Sequence, residues 1–422
     1  MPKILFSTFG SFGDVHPYMA IGLELQSRGH SVTIATSAIH QRKIELAGLS
    51  FHPVRPDLSL DDEELLRRFY DRHRGSGRII RMLDASVRQT YEDSLGAFAG
   101  ADLVVTHIVS FGGICAAEKL RKPWISTVLA PFSFLSAFDP PVFANAPWAS
   151  GLKKLGPGFV RAFFKIGRAQ SRSWLRETAR LRAEVGLPAA PHPLFDGIHS
   201  PRAVLALFSI HFAQQQPDWP ANTRITGFPF FSSTNEHEAL ASEIEQFFSE
   251  GESPVVFTLG SSAVLAAGTF YPDALEAVRR LGVRALLLTG PYSQGLPDRF
   301  PPGVLVADYA PHAAVFARAS VIVHQGGIGT TAQAMRSGRP MVVVPFAHDQ
   351  FDNADRVRRL GLASVVPRYS YSAARIEKAL REVLGDDSRR KAAEKMALSI
   401  RSEQGTSAAA DEIEQQLVPA LR

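Results

Sequence analysis

Two loops hold the residues best suited to chemistry. The stretch "HQGGIGTT" places Gly326, Gly327 and Gly329 between an apolar strand and a helix. Glycines at a helix start leave backbone N–H groups open to an anion such as a diphosphate, but glycine also serves tight helix–strand packing. The loop lacks the Gly-Lys-Ser/Thr pattern of nucleoside triphosphatases and the glycine spacing of dinucleotide-binding folds. The glycines alone therefore leave both explanations open.

A second loop follows the next apolar strand, "PMVVVPF", and carries His348, Asp349 and Gln350. In a parallel sheet the carboxyl ends of neighbouring strands meet at one edge, so we expect this loop beside the glycines. Asp349 and Gln350 can bind vicinal hydroxyls, and His348 adds another donor. The alternative is that Asp349 caps the helix that follows. A diphosphate site beside a hydroxyl site predicts a nucleotide sugar as the ligand.

The elements that must position these loops form two similar halves. Short apolar strands such as "KILFS" and "SVIVH" alternate with helical segments in both halves. This pattern predicts an α/β protein with two Rossmann-like, doubly wound parallel-sheet domains that face each other across a cleft. We expect the domains at 1–212 and 229–400, with a proline-rich linker at 213–228. A C-terminal helix within 401–422 is predicted to pack back on the first domain.

Composition narrows the class of protein and its setting. The chain has 422 residues, 45% apolar and 21% charged, which suits two globular domains. Its net charge of +5 is too small to predict nucleic-acid binding. Cys115 is the only cysteine, which excludes an internal disulfide and favours a reducing, cytoplasmic setting. No apolar run predicts a membrane span, and "MPKILFSTFG" predicts a buried strand and not a signal peptide.

One segment carries a regular series of cations. Basic residues at spacings of three and four predict a stripe on one helix face: Arg161, Lys165, Arg168, Arg172, Arg176 and Arg180. A solvated face is one explanation of this stripe, and contact with a membrane surface is the other. Peripheral contact with the inner face of a membrane is therefore among the expectations.

Three long stretches carry a resemblance to one protein family. "HQGGIGTTAQAMRSGRPMVVVPFAHDQFDNADRV" resembles the donor-binding signature of the UDP-glycosyltransferase superfamily, whose members have the two-domain glycosyltransferase-B fold (GT-B). "GSFGDVHPYMAIGLELQSRGHSVTIAT" and "EKLRKPWISTVLAPFSFLSAFDPP" resemble the same family. The variants "GGIGTT" and "HDQFDNA" are similar to a bacterial branch that includes rhamnolipid rhamnosyltransferases, sterol glucosyltransferases, and macrolide and glycopeptide glycosyltransferases. The resemblance covers nearly the whole chain.

The resemblance implies a site for a nucleotide-sugar donor. Gly327 and Thr330 would hold the diphosphate, Tyr309 would lie along the base, and Asp349 would bind sugar hydroxyls. Gln333 stands where many relatives carry a ribose-binding glutamate, which leaves room for a dTDP-sugar as well as a UDP-sugar. The co-substrate would be a UDP- or dTDP-hexose, with no other cofactor. The full implied set is Ser261, Thr289, Tyr309, Ala310, His324, Gln325, Gly326, Gly327, Gly329, Thr330, Gln333, His348, Asp349 and Gln350.

The resemblance also implies a catalytic base on the first domain. Many relatives use a histidine after the first loop, paired with an aspartate one strand further on. Here Asp14 occupies the histidine position, and His107 occupies the aspartate position. His16 is a second candidate for the base, while the plainer role of Asp14 is to cap the helix beginning near Pro17. We expect an inverting transfer in which Asp14 or His16 deprotonates the acceptor.

Metal dependence is not expected, because the chain contains no Asp-any-Asp pair. The apolar stretch "LAPFSFLSAF" and the sterol and polyketide branches of the family predict a lipophilic acceptor against Phe132, Phe134 and Phe138. The transferred sugar would be glucose or rhamnose. Two alternatives stay open: a nucleotide-sugar epimerase of the same architecture, and a catalytically inactive helper that binds a partner enzyme.

Overall fold

The computed structural model describes residues 1–57, 63–231, 240–261, 263–290, 295–297 and 299–417. The strands of the first domain are β1 (Lys3–Ser7), β2 (Ser31–Thr36), β3 (Ser50–Pro53), β4 (Leu103–His107), β5 (Trp124–Val128), β6 (Val204–Ala206) and β7 (Thr223–Ile225). The strands of the second domain are β8 (Val255–Thr258), β9 (Ala285–Leu288), β10 (Val304–Ala307), β11 (Val321–His324), β12 (Met341–Val343) and β13 (Ala363–Val365).

Helices cover both sheets. In the first half they are α1 (Phe12–Ser27), α2 (Gln41–Leu46), α3 (Glu63–Phe69), α4 (Gly75–Ala85), α5 (Val87–Phe98), α6 (Phe111–Lys119), α7 (Pro157–Ser171) and α8 (Arg176–Glu184). In the second half they are α9 (Ser242–Ser249), α10 (Phe270–Leu281), α11 (His312–Phe316), α12 (Ile328–Ser337), α13 (Gln350–Arg359), α14 (Ala373–Leu384), α15 (Asp387–Ser402) and α16 (Gly405–Leu417). Short 3-10 helices span Ala38–His40, Pro131–Phe134, Pro147–Leu155, Arg172–Leu175, Ala263–Ala266 and Arg368–Ser370.

Both sheets are parallel throughout. The first has the strand order β3-β2-β1-β4-β5-β6-β7, and the second has the order β10-β9-β8-β11-β12-β13. The order reverses beside β1 and β8, and the crevices at such reversals are where open parallel sheets bind ligands. Val105 of β4 and Phe257 of β8 are completely buried, as expected for strands covered by helices on both faces. The prediction of two doubly wound α/β domains is confirmed.

The connection between the domains differs from the predicted linker at 213–228. Thr223–Ile225 forms β7, which pairs in parallel with β6 and completes the first sheet. A strand of three residues at a sheet edge is too short to show alternation in the sequence. The chain crosses to the second domain beyond Gly227 and returns at Glu403, just before α16.

The last described helix lies on the first domain. Ile413 and Leu417 of α16 share a buried apolar cluster with Val15 of α1. At the edge of this contact, Arg28 pairs with Asp411 at 2.5 Å and with Glu414 at 2.8 Å. The end of the predicted C-terminal segment, residues 418–422, lies outside the described residues.

The predicted basic stripe is not a single helix face. The 3-10 helix Arg172–Leu175 separates α7 from α8. The break is held from outside the segment, because the buried carboxylate of Asp84 accepts hydrogen bonds from the backbone N–H groups of Glu177 and Thr178 at 3.0 and 2.7 Å. Such a carboxylate caps the start of α8. Among the described helices, none has the length and apolar character needed to cross a bilayer.

Candidate active site

A cavity of about 560 Å³ lies between the two domains. The start of α1 and the crossing segment 228–231 line one side, and the ends of β8 and β9 with the start of α12 line the other. Of the residues predicted from the sequence, the cavity is lined by His16, Ser261, Tyr309, Gly329, Thr330 and Gln333. One candidate base from the first domain and five predicted donor-site residues from the second therefore border the same cavity.

The glycine loop brings a helix start to this cavity. Gly327 is the N-cap of α12 and offers no capping side chain, so the first N–H groups of the helix stay open. A Cβ on Gly329 would come no nearer than 4.0 Å to Gly13, at the start of α1. The starts of α1 and α12 thus lie in contact with each other, and both border the cavity. Their partial positive charges favour a bound anion.

Gly326 has a different role from its neighbours. Its φ of 87° is left-handed, and a Cβ there would lie 2.9 Å from Val343 and 3.0 Å from the carbonyl oxygen of Gln350. Glycine is therefore required at this position by backbone conformation and by packing between the two loops.

His324 shapes the glycine loop from inside the sheet. It is fully buried, its Nδ1 accepts a hydrogen bond from the N–H of Gly326 at 3.1 Å, and its Nε2 lies 3.4 Å from Met341. Burial lowers the pKa of His324 to about 3, so its ring is neutral. Gln325 lies nearer to the cavity, since its Nε2 is 3.4 Å from Oγ1 of Thr330. Neither His324 nor Gln325 is among the residues that line the cavity.

Gln350 holds the second loop in shape. Its Oε1 accepts hydrogen bonds from the N–H groups of Phe346 and Ala347 at 2.9 and 3.1 Å. His348, with a left-handed φ of 56°, reaches the first domain, where its Nδ1 lies 3.1 Å from Oγ of Ser76. Burial lowers the pKa of His348 to about 4. The loop is thus fixed from both domains.

Asp349 is not used as a helix cap. It occupies the N-cap position of α13, but its side chain makes no capping hydrogen bond. Instead its Oδ2 accepts from Nδ2 of Asn353 at 2.8 Å. Burial, and to a lesser degree the negative charge of Asp14 in the opposite domain, raise the pKa of Asp349 to about 7. The carboxyl groups of Asp14 and Asp349, one from each domain, therefore interact electrostatically across the cleft.

Asp14 does act as part of a helix cap. Ser11 is the N-cap of α1, and Oδ2 of Asp14 accepts from the N–H of Ser11 at 2.8 Å and from its Oγ at 3.0 Å. A Cβ on Gly10 would collide with this carboxylate. Burial raises the pKa of Asp14. The cap uses one carboxylate oxygen, and no hydrogen bond within the described residues occupies Oδ1 of Asp14.

His16, two residues beyond Asp14 on α1, lines the cavity. Its ring stacks between Phe12 and Phe231 at centroid distances of 5.4 and 5.0 Å, and its Nε2 is buried with no hydrogen-bond partner among the described residues. Burial first, and then the charge of Lys43, lower the pKa of His16 to about 3. The imidazole is therefore neutral and free to accept a proton, but it is a weak base.

His107 does not form the pair with Asp14 that the sequence suggested. It is buried at the end of β4, and burial lowers its pKa to about 4. His107 and Asp14 form no hydrogen bond with each other. Instead the Tyr18 ring packs against the His107 ring in an edge-on arrangement, with the ring centroids 6.4 Å apart. Tyr18 in turn bonds to Thr127 at 2.6 Å. The Tyr18 side chain of α1 packs against the His107 ring, and His107 does not line the cavity.

Thr289 and Ala310 lie next to the cavity but not on its wall. The other predicted catalytic and donor-site residues absent from the cavity lining are Asp14, His107, His324, Gln325, Gly326, Gly327, His348, Asp349 and Gln350. Thr289 is buried and Ala310 is buried, whereas their neighbours Gly290 and Tyr309 line the cavity. The alternation of side chains along an extended segment explains why only one of two adjacent residues faces the site.

The three predicted acceptor-wall phenylalanines point in different directions. Phe134 stacks on Trp219 at 4.0 Å within the core, Phe138 is exposed, and Phe132 contacts Phe143 at 5.5 Å. None of the three lines the cavity. The sequence predicts one apolar wall from these three phenylalanines. The 3-10 turn Pro131–Phe134 and the left-handed φ of 49° at Leu135 instead direct their side chains to different parts of the domain.

Several lining residues carry no signal in the sequence. Lys43 lies 4.6 Å from the Phe12 ring centroid, and Phe231 comes from the stretch predicted to be near the linker. His312 of α11 also lines the cavity, with its Nε2 3.4 Å from Oγ1 of Thr258. Within the described residues, no cluster of three or more His, Cys, Asp or Glu side chains is arranged to hold a metal ion.

Comparisons with known proteins agree with this architecture. Residues 4–138 match the model of the glycosyltransferase family 28 N-terminal domain, and residues 289–418 match the erythromycin biosynthesis protein CIII-like C-terminal domain. Among solved structures, the calicheamicin glycosyltransferase CalG4 is 19% identical, with a TM-score of 0.70 over 99% of this chain and 98% of that one. The glycosyltransferase VinC in complex with DTDP is 18% identical, with a TM-score of 0.69 over 98% and 99%.

Curated relatives cover almost the whole chain. The O-mycaminosyltylonolide 6-deoxyallosyltransferase of Streptomyces fradiae is 28% identical over 96% of this chain and 94% of its own length. The sterol 3-beta-glucosyltransferase of Emericella nidulans is also 28% identical over 96% of this chain, but the match spans only 29% of that longer protein. The resemblance noted in the sequence is thus confirmed, and the chain belongs to the UDP-glycosyltransferase superfamily with the glycosyltransferase-B fold.

Proposed function

We propose that this protein transfers a sugar, glucose or rhamnose, from a UDP- or dTDP-sugar to a hydroxyl group of a lipophilic small molecule. One observation carries the proposal: the N-termini of α1 and α12 face a single cavity that also holds a neutral His16. The uncapped start of α12 suits a diphosphate, whereas the start of α1 is already capped by Ser11 and Asp14. The transfer would invert the anomeric carbon and need no metal ion.

The donor side of the cavity supplies the groups that such a transfer needs. The open N–H groups at the start of α12 and the hydroxyls of Ser261 and Thr330 would bind the diphosphate and stabilise its charge as it leaves. Asp349 and the donor N–H groups of Gln350 would orient the sugar hydroxyls. Tyr309, which is largely exposed on the cavity rim, would cover the base.

The acceptor side supplies the base. Oδ1 of Asp14 would take the proton of the acceptor hydroxyl, whose oxygen then bonds to the anomeric carbon. The bond between that carbon and the diphosphate breaks on the opposite face. Burial raises the pKa of Asp14, which makes it a stronger base than an exposed carboxylate, whereas the pKa of His16 is lowered to about 3. We take Asp14 as the base because its pKa is raised, and His16, which lines the cavity where Asp14 does not, would orient the acceptor.

A lipophilic acceptor is supported by the cavity wall and by the relatives. The first domain and the crossing segment contribute Phe12, Leu129, Leu207 and Phe230 to the lining. The named relatives act on a macrolide and on sterols, which are both apolar molecules with a reactive hydroxyl group.

The test is an acceptor screen read by mass spectrometry, with UDP-glucose and dTDP-rhamnose supplied in parallel. The proposal expects a product heavier than the acceptor by one sugar, with the free nucleoside diphosphate released in equal amount. Epimerised nucleotide sugar without acceptor modification would contradict it and indicate an isomerase. Calorimetry with UDP and dTDP covers the other outcome, because an inactive helper would bind neither nucleotide.

A further inference from the structure

Four large apolar side chains stand exposed on one short segment of the first domain. Trp148 and Leu155 lie on the 3-10 helix Pro147–Leu155 and are 67% and 59% exposed. Phe159 and Ile166 of α7 are 59% and 58% exposed. A single exposed apolar residue needs no explanation, but a cluster of this size marks a surface that contacts a partner.

The same segment is strongly basic. From position 140 to position 176 the sequence contains no aspartate or glutamate. Exposed cations lie among the apolar side chains, and together they define what we call the 148–166 surface: Trp148, Lys153, Lys154, Leu155, Phe159, Arg161, Lys165 and Ile166. The partner of such a surface must combine an apolar interior with negative charge.

The geometry of α7 separates these two properties. Phe159 and Ile166 are about two turns apart and therefore lie on one side of the helix. Arg161 and Lys165 are about one turn apart and lie on another side. Val160 between them is buried against the domain. The exposed face of α7 thus has apolar side chains along one edge and cations along the other, which fits the boundary between lipid headgroups and acyl chains.

A line of aromatic rings connects this surface with the cleft. The Trp148 ring contacts that of Phe163 at 5.8 Å, Phe163 contacts Phe143 at 6.0 Å, and Phe143 contacts Phe132 at 5.5 Å. Phe132 follows β5 at the carboxyl edge of the first sheet, and Leu129 at the same edge lines the cavity. The rings thus form an aromatic track from the 148–166 surface to the carboxyl edge of the first sheet, where Leu129 lines the cavity and Phe132 does not.

We propose that the 148–166 surface docks on a bilayer containing anionic lipids, and that a lipophilic acceptor moves from the bilayer along the aromatic track to the cavity. Docking is independent of the transfer reaction, whereas delivery of the acceptor rests on the proposed function. The absence of acidic residues from the surface argues against a second copy of the chain as the partner, because a twofold contact would oppose like charges.

The direct test is co-sedimentation of the full chain with vesicles. We expect binding to vesicles of phosphatidylcholine mixed with phosphatidylglycerol, weak binding to phosphatidylcholine alone, and weakening at high salt. The variants Phe159→Ser with Ile166→Ser, and Lys153→Glu with Lys165→Glu, should each lower the partition coefficient about tenfold or more. Their cores stay intact, since the changed side chains are exposed.

A matched control exists on the other domain. Lys395 and Leu398 of α15 are also exposed, and Lys395→Glu with Leu398→Ser should leave vesicle binding unchanged. The fluorescence of Trp148 should shift to shorter wavelength on binding, and Trp148→Phe should remove that shift. Equal binding by the wild type and the surface variants would overturn docking. So would a dimer, seen by light scattering without vesicles, that the Phe159→Ser and Ile166→Ser changes dissociate.

The delivery step has a separate readout. Transfer to an acceptor embedded in anionic vesicles should fall about tenfold in the surface variants, while transfer to the same acceptor in detergent should not change. An equal loss with both forms of acceptor would contradict delivery through this surface. If no acceptor is glycosylated in either form, the proposed function fails while vesicle binding still decides the docking proposal.

Discussion

Asp14 and Ser11 share a reciprocal hydrogen-bonded cap at the start of α1, in which Oδ2 of Asp14 accepts from both N and Oγ of Ser11. In the proposed mechanism the same carboxylate also accepts the proton of the acceptor hydroxyl. A cap role and a base role predict different results, because Ser11 participates only in the cap. The two residues therefore allow structure and catalysis to be measured separately.

The first prediction concerns this pair. Asp14→Asn should lower kcat by about 10²–10⁴, because an amide cannot take the acceptor proton. Ser11→Ala should cost about 1 kcal/mol of unfolding free energy while kcat changes little. The measurements are steady-state kinetics and urea unfolding of both variants. If Asp14→Asn retains wild-type turnover, Asp14 is only a cap, and His16→Ala becomes the variant that should abolish transfer.

The second prediction is a pH dependence of stability from Asp349. Its pKa is about 7 in the folded chain and near 3.8 when unfolded, so the folded state binds the extra proton between these values. Stability from this group is full below pH 3.8 and is lost as the pH rises through 7. Asp349→Asn removes the loss and should be more stable than wild type by about 4 kcal/mol at pH 8, from about 3 pKa units at about 1.4 kcal/mol each.

The check is urea unfolding of wild type and Asp349→Asn at several pH values from 5 to 8. The asparagine can still accept the hydrogen bond from Asn353, so the local geometry is kept. The stability difference should grow as the pH rises. A constant difference across this range would mean that Asp349 ionises like an ordinary carboxylate and is not desolvated in the cleft.

The third prediction separates two roles of Gln350. Its Oε1 satisfies two buried N–H groups, those of Phe346 and Ala347. Gln350→Met keeps the side-chain length but leaves both donors unpaired, so it should cost about 2 kcal/mol of stability. Thermal unfolding decides the point. Gln333→Ala, on the cavity wall, is the control and should cost less than about 0.5 kcal/mol. Unchanged stability in Gln350→Met would leave sugar binding as its only role.

The sequence was informative wherever the structure depends on local patterns. The strands that end at His324 and Val343 are short apolar runs bounded by glycine and proline. These bounding residues predict that each strand is followed by a loop. The placement of these loops side by side needed only the rule that parallel strands end at one edge. Gly329 and Thr330 on the cavity wall could therefore be predicted.

Contacts between distant segments could not be predicted in this way. The break after α7 depends on Asp84, which lies far away in the chain and caps α8. The wall residue Phe231 lies beside His16 only because the crossing segment packs on α1. The missing contact between Asp14 and His107 has the same origin, since the Tyr18 side chain covers His107. Such features are set by tertiary packing, which leaves no periodicity in the sequence.

The fourth prediction concerns the nucleotide of the donor. Gln333 lines the cavity at the position where many relatives carry a ribose-binding glutamate. A carboxylate would accept hydrogen bonds from both ribose hydroxyls, whereas deoxyribose offers only one. Gln333→Glu should therefore raise the affinity for UDP relative to dTDP by about tenfold, which titration calorimetry measures. Gln333→Ala should weaken both nucleotides alike. An unchanged ratio in Gln333→Glu would place the ribose elsewhere in the cavity.

The fifth prediction concerns a buried ionic cluster that joins the domains. Arg356 of α13 is 3% exposed and pairs with Asp352 at 2.8 Å and with Asp139 of the first domain at 2.5 Å. Asp352 also accepts a hydrogen bond from the N–H of Val142 at 3.1 Å. Arg356→Ala leaves the buried carboxylate of Asp352 without its cation, while Asp139 keeps a pairing with Arg359 at 3.3 Å. Removing one partner of such a buried pair costs about 3–5 kcal/mol.

Urea unfolding of Arg356→Ala tests this cost, and Arg358→Ala is its matched control two residues away. Arg358 is 55% exposed and pairs with Asp355 at 2.6 Å, so solvent screens its ion pair. The control should change stability by less than about 1 kcal/mol. Asp139→Asn should fall between the two, because Asp352 keeps its own bond to Arg356. Equal, small effects in all three variants would show that water reaches the cluster and that it does not hold the domains together.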